Sequence, residues 1–174
     1  MGRRMELPGA IYLYTLATLA MTFIGFSAIV MIVRQTLGHK LSRLDVLIAR
    51  VYMGFGLMIS TSALLPPLLM TWKLSPPTIW RVSSALACLP PLVYALTYPA
   101  RRRAISGERT PFYVRLDTSI VLLIGVSLLT NAAGAVGEWA DAVYLTALTV
   151  FLIFAVGIFL RALDIMAERP DHPE

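Results

Sequence analysis

The sequence has little of what most soluble proteins and many enzymes depend on. One of its 174 residues, Cys88, is a cysteine, which excludes an internal disulfide and a thiolate metal cluster. Charged residues make up only 14% of the chain, against about 25% in soluble globular proteins. The two histidines, His39 and His172, lie outside the apolar stretches, so no Ser–His catalytic pair can form within them. The shortage of charge indicates a membrane protein.

Apolar residues are correspondingly abundant. Aliphatic, aromatic and sulfur-containing residues form 57% of the chain, and the mean hydropathy is +0.73. Five runs are long enough to cross a hydrocarbon core of about 30 Å as helices. The strands of a transmembrane β-barrel alternate between apolar and polar residues, whereas these runs are apolar on all sides. The sequence therefore predicts an all-α polytopic bundle with five spans, at residues 10–33, 46–72, 78–98, 118–136 and 142–163.

The length fits a single transmembrane domain over residues 1–174. Arg3 and Arg4 precede the first apolar run as in a signal peptide, but the run is too long for one, so we interpret it as a retained span. The longest connection runs from residue 99 to residue 116. Residues 168–174, with Pro170 and Pro173, contain too little apolar surface to order themselves and are predicted to form a disordered tail.

The distribution of positive charge favours one orientation. Short loops rich in Lys and Arg stay on the cytoplasmic side of a membrane, the positive-inside rule. With the N-terminus outside and the C-terminus inside, four of the 15 basic residues lie outside and the other 11 inside. We therefore predict an N-out, C-in multi-pass protein, which in a bacterium would lie in the cytoplasmic (inner) membrane. Tryptophans favour membrane interfaces, and all three fall at the predicted outer boundary: Trp72, Trp80 and Trp139.

Charged residues within or beside the apolar runs are candidates for function. Four of them fall near the inner ends of the predicted spans. One interpretation is that the long arginine side chains reach the headgroups from there. The other is a belt of paired charges that fixes the helices or lines a vestibule, formed by Arg50, Asp117, Arg161 and Asp164.

The motif Leu-Pro-Pro-Leu occurs twice, at residues 65–68 and 89–92. A proline has no backbone N–H, so it leaves the carbonyl four residues earlier without its helical donor. Pro66 frees the Ser62 carbonyl at the predicted outer boundary. Pro90 and Pro91 lie a little past the midplane of the third span. They predict either a kink or a helix break that lines a solute path, in which case the site also includes the hydroxyls of Ser83 and Ser84.

Two further features concern contacts within or beside the membrane. Asn131, near the outer end of the fourth span, is predicted to join helices by a hydrogen bond. Three consecutive arginines, Arg101, Arg102 and Arg103, follow the third span. They act either as a signal that orients the chain or as a contact for anionic lipid headgroups.

These features favour a protein without catalytic machinery, cofactor or metal. The pI of 9.7 is explained by loops that face anionic lipid, and we expect no nucleic acid partner. Residues at the spacing Gly56-xxx-Ser60 favour close helix packing. The sequence therefore predicts a structural or partner-binding subunit of a membrane assembly, with a membrane-protein partner or a second copy of itself. The alternative is a small channel or carrier with a broken third span.

Overall fold

The computed structural model describes residues 9–36, 43–107 and 111–167. Within these ranges the chain forms five long α-helices and one 3₁₀ turn, and no strand. All five helices are long and apolar enough to cross a membrane, which confirms the predicted all-α architecture. The predicted tail at residues 168–174 lies outside the described residues. The helices are α1 (Ala10–Thr36), α2 (Arg43–Thr71), α3 (Pro76–Ser106), α4 (Phe112–Ala132) and α5 (Ala140–Ala167).

The connection between α3 and α4 is much shorter than predicted. Helix α3 continues to Ser106, through Pro99 and the arginines, and α4 already begins at Phe112. Charged residues end an apolar run without ending a helix, since arginine is a good helix former. Helix α3 stops at Gly107, whose φ of 66° suits glycine and whose N–H donates to the Arg103 carbonyl at 2.9 Å.

Helix α4 ends four residues earlier than the predicted span, at Ala132. Gly134 adopts a φ of 79°, and a Cβ at this position would lie 2.5 Å from a guanidinium nitrogen of Arg81. The backbone conformation therefore favours glycine here, whereas the Arg81 guanidinium, at the end of a flexible side chain, could move aside. After the 3₁₀ turn at Gly137–Trp139, α5 begins at Ala140.

Successive helices run in opposite directions, so the bundle has two ends. We call the end with the start of α1 and the α2–α3 and α4–α5 connections the turn end. The opposite end, with the α3–α4 connection, is the arginine end. Helix α5 packs against all four other helices, α2 packs against α1, α3 and α5, and α3 and α4 form the most extensive pair. Helix α1 lies at the edge, against α2 and α5.

The interior is packed through small residues and aromatic rings. A Cβ at Gly56 would lie 2.6 Å from Ile24 of α1, and one at Gly125 would lie 2.8 Å from Leu92 of α3. In lipid, where apolar burial between helices gives little driving force, such close approaches supply the packing energy. Every helix exposes large apolar side chains on the outside of the bundle, as expected for a surface that faces lipid. Examples, one from each helix, are Ile11, Leu57, Leu96, Leu123 and Ile153.

Candidate functional site

A layer of polar groups crosses four helices near the turn end. Its centre is Asn131 of α4, which is 1% exposed. The Asn131 side-chain amide donates to Ser84 Oγ of α3 at 2.9 Å and to the Ala140 carbonyl at 2.7 Å. This side chain therefore ties α4 to α3 and to the start of α5, which confirms the predicted interhelical hydrogen bond. We call Ser62, Ser83, Ser84, Asn131 and Tyr144 the polar layer.

Two atoms of the polar layer have no hydrogen-bond partner in the described part of the chain. They are the Ser83 hydroxyl, on a residue that is 0% exposed, and Asn131 Oδ1. The Asn131 amide orientation follows from its two acceptors, so the oxygen is the atom left over. A buried polar atom without a partner lowers the free energy of unfolding, so both atoms are expected to cost stability.

The carbonyl freed by Pro66 is satisfied by a tyrosine. Tyr144 of α5 is fully buried, and its hydroxyl donates to the Ser62 carbonyl at 2.6 Å. The ring of Trp80 packs against that of Tyr144 with the centroids 5.6 Å apart. Trp80 is therefore a buried packing residue and no interface anchor, unlike Trp72 and Trp139, which are exposed at the same end.

Helix α3 does not break at Pro90 and Pro91. The helix is continuous from Pro76 to Ser106, and both prolines lie inside it. Pro91 is fully buried in the bundle. The interruption that the carrier hypothesis required is therefore absent from α3. Ser83 and Ser84, predicted as part of a solute path beside it, are buried in the polar layer two turns away.

The arginine end brings together two of the four residues of the predicted charged belt. Arg161 of α5 lies 3.2 Å from the Asp117 carboxylate of α4, with 49% and 15% of the two side chains exposed. Arg50 of α2 is exposed and forms no ion pair with any described residue. Asp164 lies in α5, but its side chain is outside the described residues. Among the residues that the structure describes, Arg161 and Asp117 of the predicted belt thus form an ion pair between α4 and α5.

Tyr113 of α4 joins this pair to the arginines of α3. The guanidinium carbon of Arg102 lies 5.6 Å from the centre of the Tyr113 ring, and that of Arg161 lies 5.4 Å from it. Arg102 also donates to the Tyr113 hydroxyl at 3.1 Å. Arg101 and Arg103 are exposed to either side. The contacts of Arg102 place it in this cluster, and we call Arg102, Tyr113, Asp117 and Arg161 the arginine cluster.

Two apolar grooves flank α5 on the outer surface near the turn end. The groove between α4 and α5 has a volume of about 520 Å³ and is lined by residues such as Leu123 and Trp139. The groove toward α1, of about 370 Å³, is lined by Tyr12 and Leu145. Among the described residues, no group of three His, Cys, Asp or Glu side chains is close enough to hold a metal ion.

The sequence pattern does not single out Tyr113 or Tyr144 as members of a site. Part of the Tyr144 contact could be predicted from the sequence, because Pro66 leaves the Ser62 carbonyl without its helical donor and so in need of another. Which side chain supplies that donor depends on the rotation of α5. Comparison with protein-family models, curated proteins and solved structures finds no match for this chain.

Proposed function

We propose that this chain is a non-catalytic subunit of a membrane assembly that associates with a second copy of itself through α1. Helix α1 lies at the edge of the bundle, against α2 and α5. Much of its surface faces away from the bundle. The proposal rests on the pattern of residues along that outward face.

The outward face of α1 carries small and β-branched residues in a regular repeat. Their spacing alternates between three and four residues, which is the a and d pattern of helices that wrap around each other. All six positions are exposed. We call them the α1 stripe: Thr15, Thr18, Thr22, Gly25, Ile29 and Ile32.

The hydroxyls of the stripe are already satisfied within α1. Thr15, Thr18 and Thr22 each donate to the carbonyl four residues earlier, at 2.9–3.0 Å. The stripe therefore presents a narrow surface of methyl groups with no donor left to pair. Small residues of this kind let the backbones of two helices approach closely in lipid.

Glycines inside and outside the bundle differ in the space around them. At Gly56 and Gly125 a neighbouring helix fills the position that a Cβ would take. At Gly25 no atom lies within 4 Å of that position. Gly25 therefore leaves room on the stripe for a helix from outside this chain.

A second copy suits this surface better than an unrelated helix. Copies of one chain insert with the same orientation, so their α1 helices run parallel. A repeat of 3.5 residues keeps two parallel stripes facing each other along their whole length. The contact is then the same on both copies and is related by a two-fold axis along the membrane normal.

Cysteine cross-linking in the membrane tests the proposal. Cys88 is buried and is first replaced by alanine. We expect disulfide-linked dimers from the stripe variants T18C and T22C, and far fewer from L19C and F26C, whose positions are exposed beside the stripe. Equal cross-linking at all four positions, or none, contradicts the proposal.

A bulky residue on the stripe provides an independent test. G25L should weaken dimer formation in detergent, because the side chain occupies the space between the two helices. The matched control is G157L, at a glycine of α5 whose Cβ position is also open. A chain that stays monomeric but binds another membrane protein through the stripe also contradicts self-association.

The predicted N-out, C-in orientation belongs to the same proposal. It is supported by the distribution of basic residues in the sequence, since this orientation puts 11 of the 15 on the cytoplasmic side. A reporter fused between α3 and α4 should locate to the cytoplasm, and a periplasmic or extracellular reporter contradicts it. The carrier hypothesis is not retained, because α3 continues through Pro90 and Pro91.

A further inference from the structure

We infer that Arg102 and Arg161 together bind the phosphate group of an anionic phospholipid at the arginine end. The two residues come from α3 and α5 and lie 59 positions apart in the chain, so no sequence motif connects them. This site is separate from the α1 stripe, and its test does not depend on dimer formation.

The ring of Tyr113 holds both guanidinium groups in place. Their carbons lie 5.6 Å and 5.4 Å from the ring centre, so they are at most about 11 Å apart. The hydrogen bond from Arg102 to the Tyr113 hydroxyl and the ion pair of Arg161 with Asp117 further restrict them. Arginines that are already positioned lose less conformational entropy when an anion binds.

Charge and donor geometry both favour an anion. The arginine cluster combines two guanidinium groups with one carboxylate, which leaves it positively charged. A guanidinium has five N–H donors arranged to match the oxygens of a phosphate. Arg161 uses one of its terminal nitrogens for Asp117 and remains 49% exposed, so the rest of its guanidinium can reach a phosphate.

The position of the cluster identifies the phosphate as that of a lipid. The apolar run of α3 is followed directly by the three arginines, and the candidate membrane helices of α4 and α5 begin at Phe112 and end at Arg161. The cluster therefore lies at the edge of the hydrocarbon, where lipid phosphates are found. Phe112 and Leu160 are exposed beside it and can contact the acyl chains of the same lipid.

Native mass spectrometry with added phosphatidylglycerol tests the site. We expect R102Q/R161Q to lower the affinity for this lipid about 30-fold, since each arginine near an anionic surface contributes about fivefold. The matched control R115Q removes an exposed arginine of α4 at the same end and should lower it by less than half as much on a logarithmic scale. R102K/R161K retains the charge but loses the paired donors, so we expect an intermediate affinity.

Each outcome decides the question. If R115Q lowers the affinity by half as much as R102Q/R161Q on a logarithmic scale, or by more, the lipid responds only to net charge and the site is refuted. Displacement of phosphatidylglycerol by millimolar inorganic phosphate refutes the lipid as the source of the phosphate. Equal affinity for phosphatidylglycerol and phosphatidylcholine also overturns the inference. Helical content by circular dichroism confirms that each variant is folded before its affinity is compared. If R102Q/R161Q does not fold, R102K/R161K is compared with R115Q in its place.

Discussion

The hydrogen bond between Tyr144 and the Ser62 carbonyl offers a direct test of the interior. Pro66 cannot donate to that carbonyl, and the Tyr144 hydroxyl replaces the missing donor at 2.6 Å. Y144F removes the hydroxyl but keeps the ring against Trp80. The Ser62 carbonyl is then left buried with neither its helical donor nor its tyrosine donor.

The size of the effect follows from these contacts. Hydrogen bonds between membrane helices contribute about 0.6 kcal/mol on average and up to about 1.7 kcal/mol. A buried acceptor left without a donor costs about 1–3 kcal/mol. We therefore expect Y144F to lower the free energy of unfolding by about 1–2 kcal/mol. Y12F removes a 2.6 Å hydrogen bond to Thr149 at an exposed site and should cost less than about 1 kcal/mol.

A double-mutant cycle with P66A isolates the cause. The P66A substitution restores a backbone N–H at this position that can donate to the Ser62 carbonyl, so Y144F should cost little in the P66A background. The expected coupling energy is about 1 kcal/mol, measured by reversible unfolding in mixed micelles with circular dichroism as the signal. Additive effects would refute the reasoning, because they would mean that the Ser62 carbonyl has another donor.

Two further predictions concern the polar layer and the helix contacts. In the same unfolding assay S83A should raise stability by about 1 kcal/mol, since it removes a buried hydroxyl without a partner, whereas S84A should lower it by about 0.6–1.7 kcal/mol through loss of the Asn131 bond. Loss of stability in both would show that the Ser83 hydroxyl is bonded. G125A should destabilise the chain by about 1–3 kcal/mol because its Cβ would overlap Leu92, and G157A, with open space, should be neutral or stabilising. Equal stability of G125A and G157A would contradict the close approach of α3 and α4.

The fold was predictable because bilayer thickness sets the length of an apolar helix. Each of the five runs became one helix, and each error arose where a helix and an apolar run end at different residues. Helix α3 continues to Ser106 because arginines do not interrupt a helix. Helix α4 ends at Ala132 because Gly134 reverses the chain, although the hydropathy remains high beyond it.

The site was less predictable, because it depends on how each helix is rotated. The alternating direction of the helices places Asp117 and Arg161 at one end. Their contact also requires that the two side chains face each other across α4 and α5, which hydropathy does not specify. The same applies to Arg102, since three consecutive arginines point in three directions around α3 and only one meets Tyr113.

The distribution of polar contacts also bears on why α1 is the helix proposed to associate. Helices α2 to α5 share the polar layer, and α3, α4 and α5 meet again in the arginine cluster. Helix α1 contributes to neither. Its contacts with α2 and α5 consist largely of apolar packing around residues such as Phe23 and Ala20, together with the exposed hydrogen bond between Tyr12 and Thr149. In lipid, apolar packing alone discriminates poorly between neighbours, whereas hydrogen bonds and close small-residue contacts specify them. Helices α2 to α5 form buried hydrogen bonds inside the bundle, whereas α1 lies outside both clusters and carries its repeat of small residues on the outward face.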